Sequence, residues 1–72
     1  MMESNFYSDV ATKAAQHEQD GEFSIAGQLW ENASESALNV ANRKWARARA
    51  DFCRYQQRLM QMKSWEEDAI NG

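Results

Sequence analysis

No proline occurs in these 72 residues, and there are only three glycines and one cysteine. Without proline, and with few β-branched residues, the chain lacks the punctuation of a sandwich or barrel. The single thiol, Cys53, excludes an internal disulfide and fits a reducing compartment. With one histidine, His17, no Cys/His metal-ligand spacing exists. The glycines stand apart at 21, 27 and 72, so no glycine-rich loop is there to cradle a phosphate. No run approaches the roughly 18 apolar residues of a membrane span. The first ten residues carry no basic n-region or apolar h-region, and neither end carries a lipidation motif. The expectation is a soluble, cytoplasmic, non-enzymatic chain without cofactor, metal, membrane or small-molecule partner.

What remains is apolar enough to fold. Hydrophobic residues make up 43% of the chain, too many for a disordered tail. A chain this short builds a thin core, and a partner or a second copy would help it. Charge is unevenly spread. Residues 1–42 sum to −6, residues 43–58 to +5 and residues 59–72 to −2. Internal pairing of the acidic half with the basic segment is the simplest reading. A nucleic-acid patch is the sharper one, and the overall −3 speaks against it.

Apolar spacing predicts an all-α chain of three helices: an antiparallel αα-hairpin and a longer third helix, forming one domain over residues 1–64. The first helix runs over about 5–19. Phe6, Val10, Ala11, Ala14 and Ala15 share one face, with Tyr7 beside it. Ser4 or Asn5 caps its start, and Gly21 supplies the left-handed stop. The second runs over about 23–37, with Phe23, Ala26, Trp30, Ala33 and Ala37 in steps of three and four. The small residues let the two backbones approach. The third runs over about 41–63. Ala41, Trp45, Ala48, Phe52, Tyr55, Leu59 and Met62 keep a strict heptad, with Ala46, Ala50, Cys53 and Met60 beside it. Residues 65–72 read as an acidic, frayed tail, with Glu66, Glu67 and Asp68 as a solvated acidic end.

Helix length then points toward function. At ~1.5 Å per residue the third helix outruns the hairpin by more than ten ångströms. The hairpin is expected to cover Ala41 to about Tyr55, which makes Trp45, Ala48 and Cys53 core residues together with Ala14, Phe23, Ala26, Trp30 and Ala33, while Gly21 is structural as the turn. The overhang is expected to expose an apolar strip. Phe52, Tyr55, Leu59, Met62 and Trp65 are the candidate anchors for a protein partner. Arg47, Arg54 and Arg58 would steer that partner. Self-pairing of the heptad into a homodimer is a second possibility. Direct DNA binding is the third and weakest. The basic face holds few arginines, Asp51 interrupts it, and no helix-turn-helix is legible. His17 reads as a surface or hairpin residue, and Cys53 as a buried, inert thiol.

Two patterns carry a resemblance. Gly21-x-Phe23-x-x-Ala26-x-x-x-Trp30-x-x-Ala33 looks like the turn and second helix of a tetratricopeptide hairpin, although no copy recurs about 34 residues on. The longer block includes Ala14, Ala15, Gly21, Ala26, Leu29, Trp30 and Ala33, then Asn42-Arg43-x-Trp45-Ala46-x-x-Arg49-x-x-x-Cys53. It resembles the ANR family, small bacterial negative regulators of AraC-type transcription activators, and spans about residues 7–54. The resemblance implies a cytoplasmic regulator that binds an AraC-family activator and blocks its dimerisation or promoter binding, without reading DNA itself. Residues after Arg54 lie outside the resembling block.

Overall fold

The computed structural model describes residues 3–71, with side chains described over 3–62. It is all-α. Helix α1 spans Asn5–Gln19, α2 spans Phe23–Ser36 and α3 spans Val40–Asn71.

Local chemistry sets the helix ends. The Ser4 hydroxyl accepts from the Tyr7 amide at 3.0 Å and caps α1. Gly21, at φ 79°, turns the chain out of α1 in the left-handed region that glycine enters without strain. Asn39 caps α3, its side-chain oxygen accepting from Ala41 and Asn42 amides at 2.8 and 3.3 Å. Glu3 reaches across from the start of the chain. Its carboxylate accepts from the Leu38 amide (2.6 Å), the Asn39 amide (3.0 Å) and the Asn42 side chain (2.9 Å). One acid thereby holds the α2–α3 connection against the N-terminal end of α1.

Helices α1 and α2 form the hairpin, with Ser4 at one end hydrogen-bonding the Ser36 carbonyl. Helix α2 lies between α1 and α3 in the contact order of the fold. The core is built mostly of small side chains: Ala14, Ala26, Ala33, Ala37, Ala46, Ala50 and Cys53, with Tyr7 and Trp30 as its bulk. On α1 the helical phase selects Tyr7 for the core and leaves Phe6 62% exposed. Phe23 is partly buried against the core. Gly27 of α2 faces α3 so closely that a Cβ there would stand 3.4 Å from the Cys53 Cβ.

Two expectations about α3 are corrected. The heptad residues Trp45 and Ala48 are not core; both are exposed, Trp45 at 57%. The face that meets the hairpin is the one roughly opposite the heptad, carrying Ala46, Ala50 and Cys53. The reason is fit. Ala26, Gly27 and Ala33 give α2 a smooth face, and close approach of two backbones demands small residues on both sides. A Trp–Ala–Phe edge would hold the helices apart. The second correction is length. The helical backbone continues to Asn71, past the expected end near Lys63 and through most of the expected 65–72 tail.

Candidate functional site

The site is the outward face of α3. At about 100° per residue, the heptad and the Ala46–Ala50–Cys53 face lie roughly 155° apart around the helix axis. Packing one against α2 therefore turns the other to solvent. Tyr55 is 55% exposed, Leu59 40%, Met62 58% and Phe52 38%. With Trp45 they form an apolar ridge roughly 26 Å long, measured from Trp45 to Met62 at 1.5 Å per residue. The ridge is open along its whole length, not only beyond the hairpin as expected from helix lengths.

The inner end of the ridge is anchored by one arginine. Arg49 donates to Glu18 of α1 through Nε at 3.3 Å and through a second, very close contact from Nη2. The same guanidinium lies over the Phe52 ring at 4.5 Å and over the Trp45 ring at 5.7 Å. Phe23 packs edge-on against Phe52, with ring centroids 6.4 Å apart. Arg49 thus spans from the interior to the base of the ridge and limits how Trp45 and Phe52 can move.

Glu18 is the hub beneath it. Its carboxylate also accepts from the Trp30 indole N–H at 2.9 Å and from the Cys53 thiol at 3.5 Å. Burial raises its pKa, but the hydrogen bonds from Arg49 and Trp30, with the Arg49 charge, outweigh that and leave it lowered. Burial, followed by the neighbouring Glu18 charge, pushes the Cys53 thiol up to about 11. Cys53 is fully buried, as expected, and a protonated, buried thiol is a poor nucleophile. Among the described residues no group of His, Cys, Asp and Glu is placed to hold a metal.

The basic residues divide. Arg54 pairs with Glu31 of α2 across the helix interface, so part of its charge is spent inside the fold. With Glu18–Arg49 this is the internal pairing that the split charge suggested. Arg47 and Arg58 are exposed on the flank of α3. The Trp65 side chain lies outside the described residues. His17 bridges the hairpin turn to Glu22 at 2.8 Å, as a hairpin residue would.

Glu3 and Glu18 are the residues that sequence reasoning passed over as ordinary surface acid. A signal for Glu18 existed. Trp30 sits on an apolar face, and its buried N–H needs an acceptor. Nothing local marks Glu3 as a clip, because the partners it holds on the α2–α3 connection are 35 to 39 positions away.

No helix among the described residues is long and apolar enough to cross a membrane. No protein-family model, curated protein or solved structure matches the chain.

Proposed function

We propose that the chain is a cytoplasmic transcription regulator that works by protein contact. It would hold an AraC-family activator on the α3 ridge and block that protein's dimerisation or promoter binding. The observation that carries the contact reading is the solvent-facing row Trp45, Phe52, Tyr55, Leu59 and Met62 on a helix whose other side is already packed. A contiguous apolar row of aromatic and large aliphatic side chains is the usual form of a helix-binding surface. Arg47 and Arg58 flank it and favour an acidic rim on the partner. The choice of an AraC-type activator rests on the resemblance of the Asn42–Cys53 block. Within that block Ala46, Arg49 and Cys53 serve the fold, while Trp45 stands on the ridge.

The deciding experiment replaces Leu59 and Met62 together with Asp. Both side chains are exposed, so the helical signal and the melting temperature should stay at the parent values. Retention of a purified AraC-type activator and repression of its promoter should both disappear. A folded variant that represses as well as the parent would remove the ridge from the mechanism. Binding to promoter DNA alone, falling steeply with added salt, would favour the DNA-binding reading instead.

A further inference from the structure

We propose that two copies of the chain pair along their α3 ridges, antiparallel, in a single register that sets Phe52 of each copy against Tyr55 of the other. The inference concerns the same ridge but does not rest on the activator reading. It makes self-pairing and partner binding mutually exclusive.

The ridge has the extent that self-pairing requires. Its heptad runs unbroken from Ala41 to Met62, three repeats, and every one of its residues is exposed, though Phe52 touches Phe23 on one edge. Trp45, Phe52 and Leu59 occupy the a positions, and Ala41, Ala48, Tyr55 and Met62 the d positions. The hairpin packs on the far side of α3, so a second helix can lie along the ridge without displacing it. In an antiparallel pair the two hairpins sit at opposite ends.

Volume favours opposite directions. A parallel pair would stack Ala48 on its own copy between a Trp45 layer and a Phe52 layer, leaving a gap between two bulges. The antiparallel pair sets each a position against a d position. In the proposed register Trp45 meets Met62, Ala48 meets Leu59 and Phe52 meets Tyr55, each against the second copy.

Charge selects the same arrangement. The residues preceding the a positions are Lys44, Asp51 and Arg58, all exposed. In an antiparallel pair these flanking positions face one another. The proposed register brings Asp51 of each copy to Arg58 of the other, two attractive pairs by symmetry. Sliding by one heptad toward the N-terminus would bring Asp51 to its own copy and Lys44 to Arg58, so every such contact becomes repulsive. A parallel pair would place Lys44 beside Arg49 of the second copy and offers Asp51 only Gln56. Such pairs decide orientation and register, while the apolar layers supply the affinity.

The test uses sedimentation velocity and cysteine crosslinking on the full chain. The parent protein should shift from monomer to dimer as concentration rises. Asp51→Arg should weaken the dimer about ten-fold, since both symmetric pairs turn repulsive. Adding Arg58→Asp to it should restore parental affinity. Under mild oxidation, Ala48→Cys mixed with Leu59→Cys should give a mixed disulfide dimer, and Ala48→Cys alone should give little; native Cys53 is fully buried. All four altered positions are exposed, so circular dichroism should show the parental fold. A chain that stays monomeric at every concentration overturns the proposal. So does efficient crosslinking of Ala48→Cys to itself, or a dimer that Asp51→Arg leaves unchanged. A monomer that still retains an AraC-type activator sinks the self-pairing alone, and a dimer that retains none sinks the activator reading alone.

Discussion

Arg49 and Glu18 are joined by two hydrogen bonds across α1 and α3, and the same Arg49 guanidinium covers the Phe52 ring at 4.5 Å. A charge pair near the interior is therefore continuous with the exposed apolar ridge. The Glu18 side chain is 17% exposed and that of Arg49 28%, so solvent screens the pair only in part.

Removing either partner should be costly. Arg49→Ala leaves Glu18 with the Trp30 and Cys53 donors but no counter-charge, and should destabilise by about 2–3 kcal/mol. Arg49→Lys keeps the charge but loses the two-pronged geometry and the flat cover over Phe52, so it should recover only part of the loss. Chemical denaturation of the two variants measures the difference. Equal stability of Arg49→Ala and the parent would show that the pair contributes nothing.

The tryptophans should separate cleanly. Trp30 is 5% exposed and bonded to Glu18, so Trp30→Ala should lose about 3–5 kcal/mol, enough to unfold a domain this small. Trp45 is 57% exposed, and Trp45→Ala should cost no more than about 1 kcal/mol. Thermal melts followed by circular dichroism give both values. Trp45→Ala should at the same time weaken binding at the ridge.

Stability should fall in acid for a definite reason. Glu3 and Glu18 both have folded-state pKa values below the ordinary value of 4.5, with Glu3 at about 2. For Glu3, burial acts upward, and the hydrogen bonds from Leu38, Asn42, Ser4 and Asn39 together outweigh it. A lowered carboxyl contributes stability that is complete above its unfolded pKa and is lost as pH falls through its folded one. The Glu3 contribution should thus disappear between pH 4.5 and about 2, and Glu3→Gln should flatten that part of a stability–pH curve. Cys53 acts oppositely. Raised from 9.0 to about 11, it should cost stability as pH climbs through that interval, and Cys53→Ala should abolish that slope.

Two glycines should respond with opposite signs. Gly21 holds φ 79°, so Gly21→Ala should destabilise by about 1 kcal/mol even though a Cβ there meets nothing within 4 Å. Gly27 lies inside α2, where a Cβ would make ordinary contact with Cys53 at 3.4 Å. Gly27→Ala should be neutral or stabilise by up to about 1 kcal/mol through helix propensity, whereas Gly27→Leu should push α2 and α3 apart. Urea midpoints for the three variants check the order.

The three helices, the cap at Ser4 and the turn at Gly21 are readable from the order of residues, because each depends on neighbours within a few positions. The heptad from Ala41 to Met62 is equally plain, since periodicity states which side chains share a face. It does not state which of two faces turns inward. Helix α3 carries a bulky apolar row and a small one, and the bulky row has the stronger pattern. The small row went inside because α2 offers Ala26, Gly27 and Ala33, against which only Ala46, Ala50 and Cys53 can come close. The Glu18 hub and the Glu3 clip were equally out of reach of local pattern, since their partners lie far along the chain. Fit between distant surfaces, rather than the hydrophobicity of either, placed the ridge in the open.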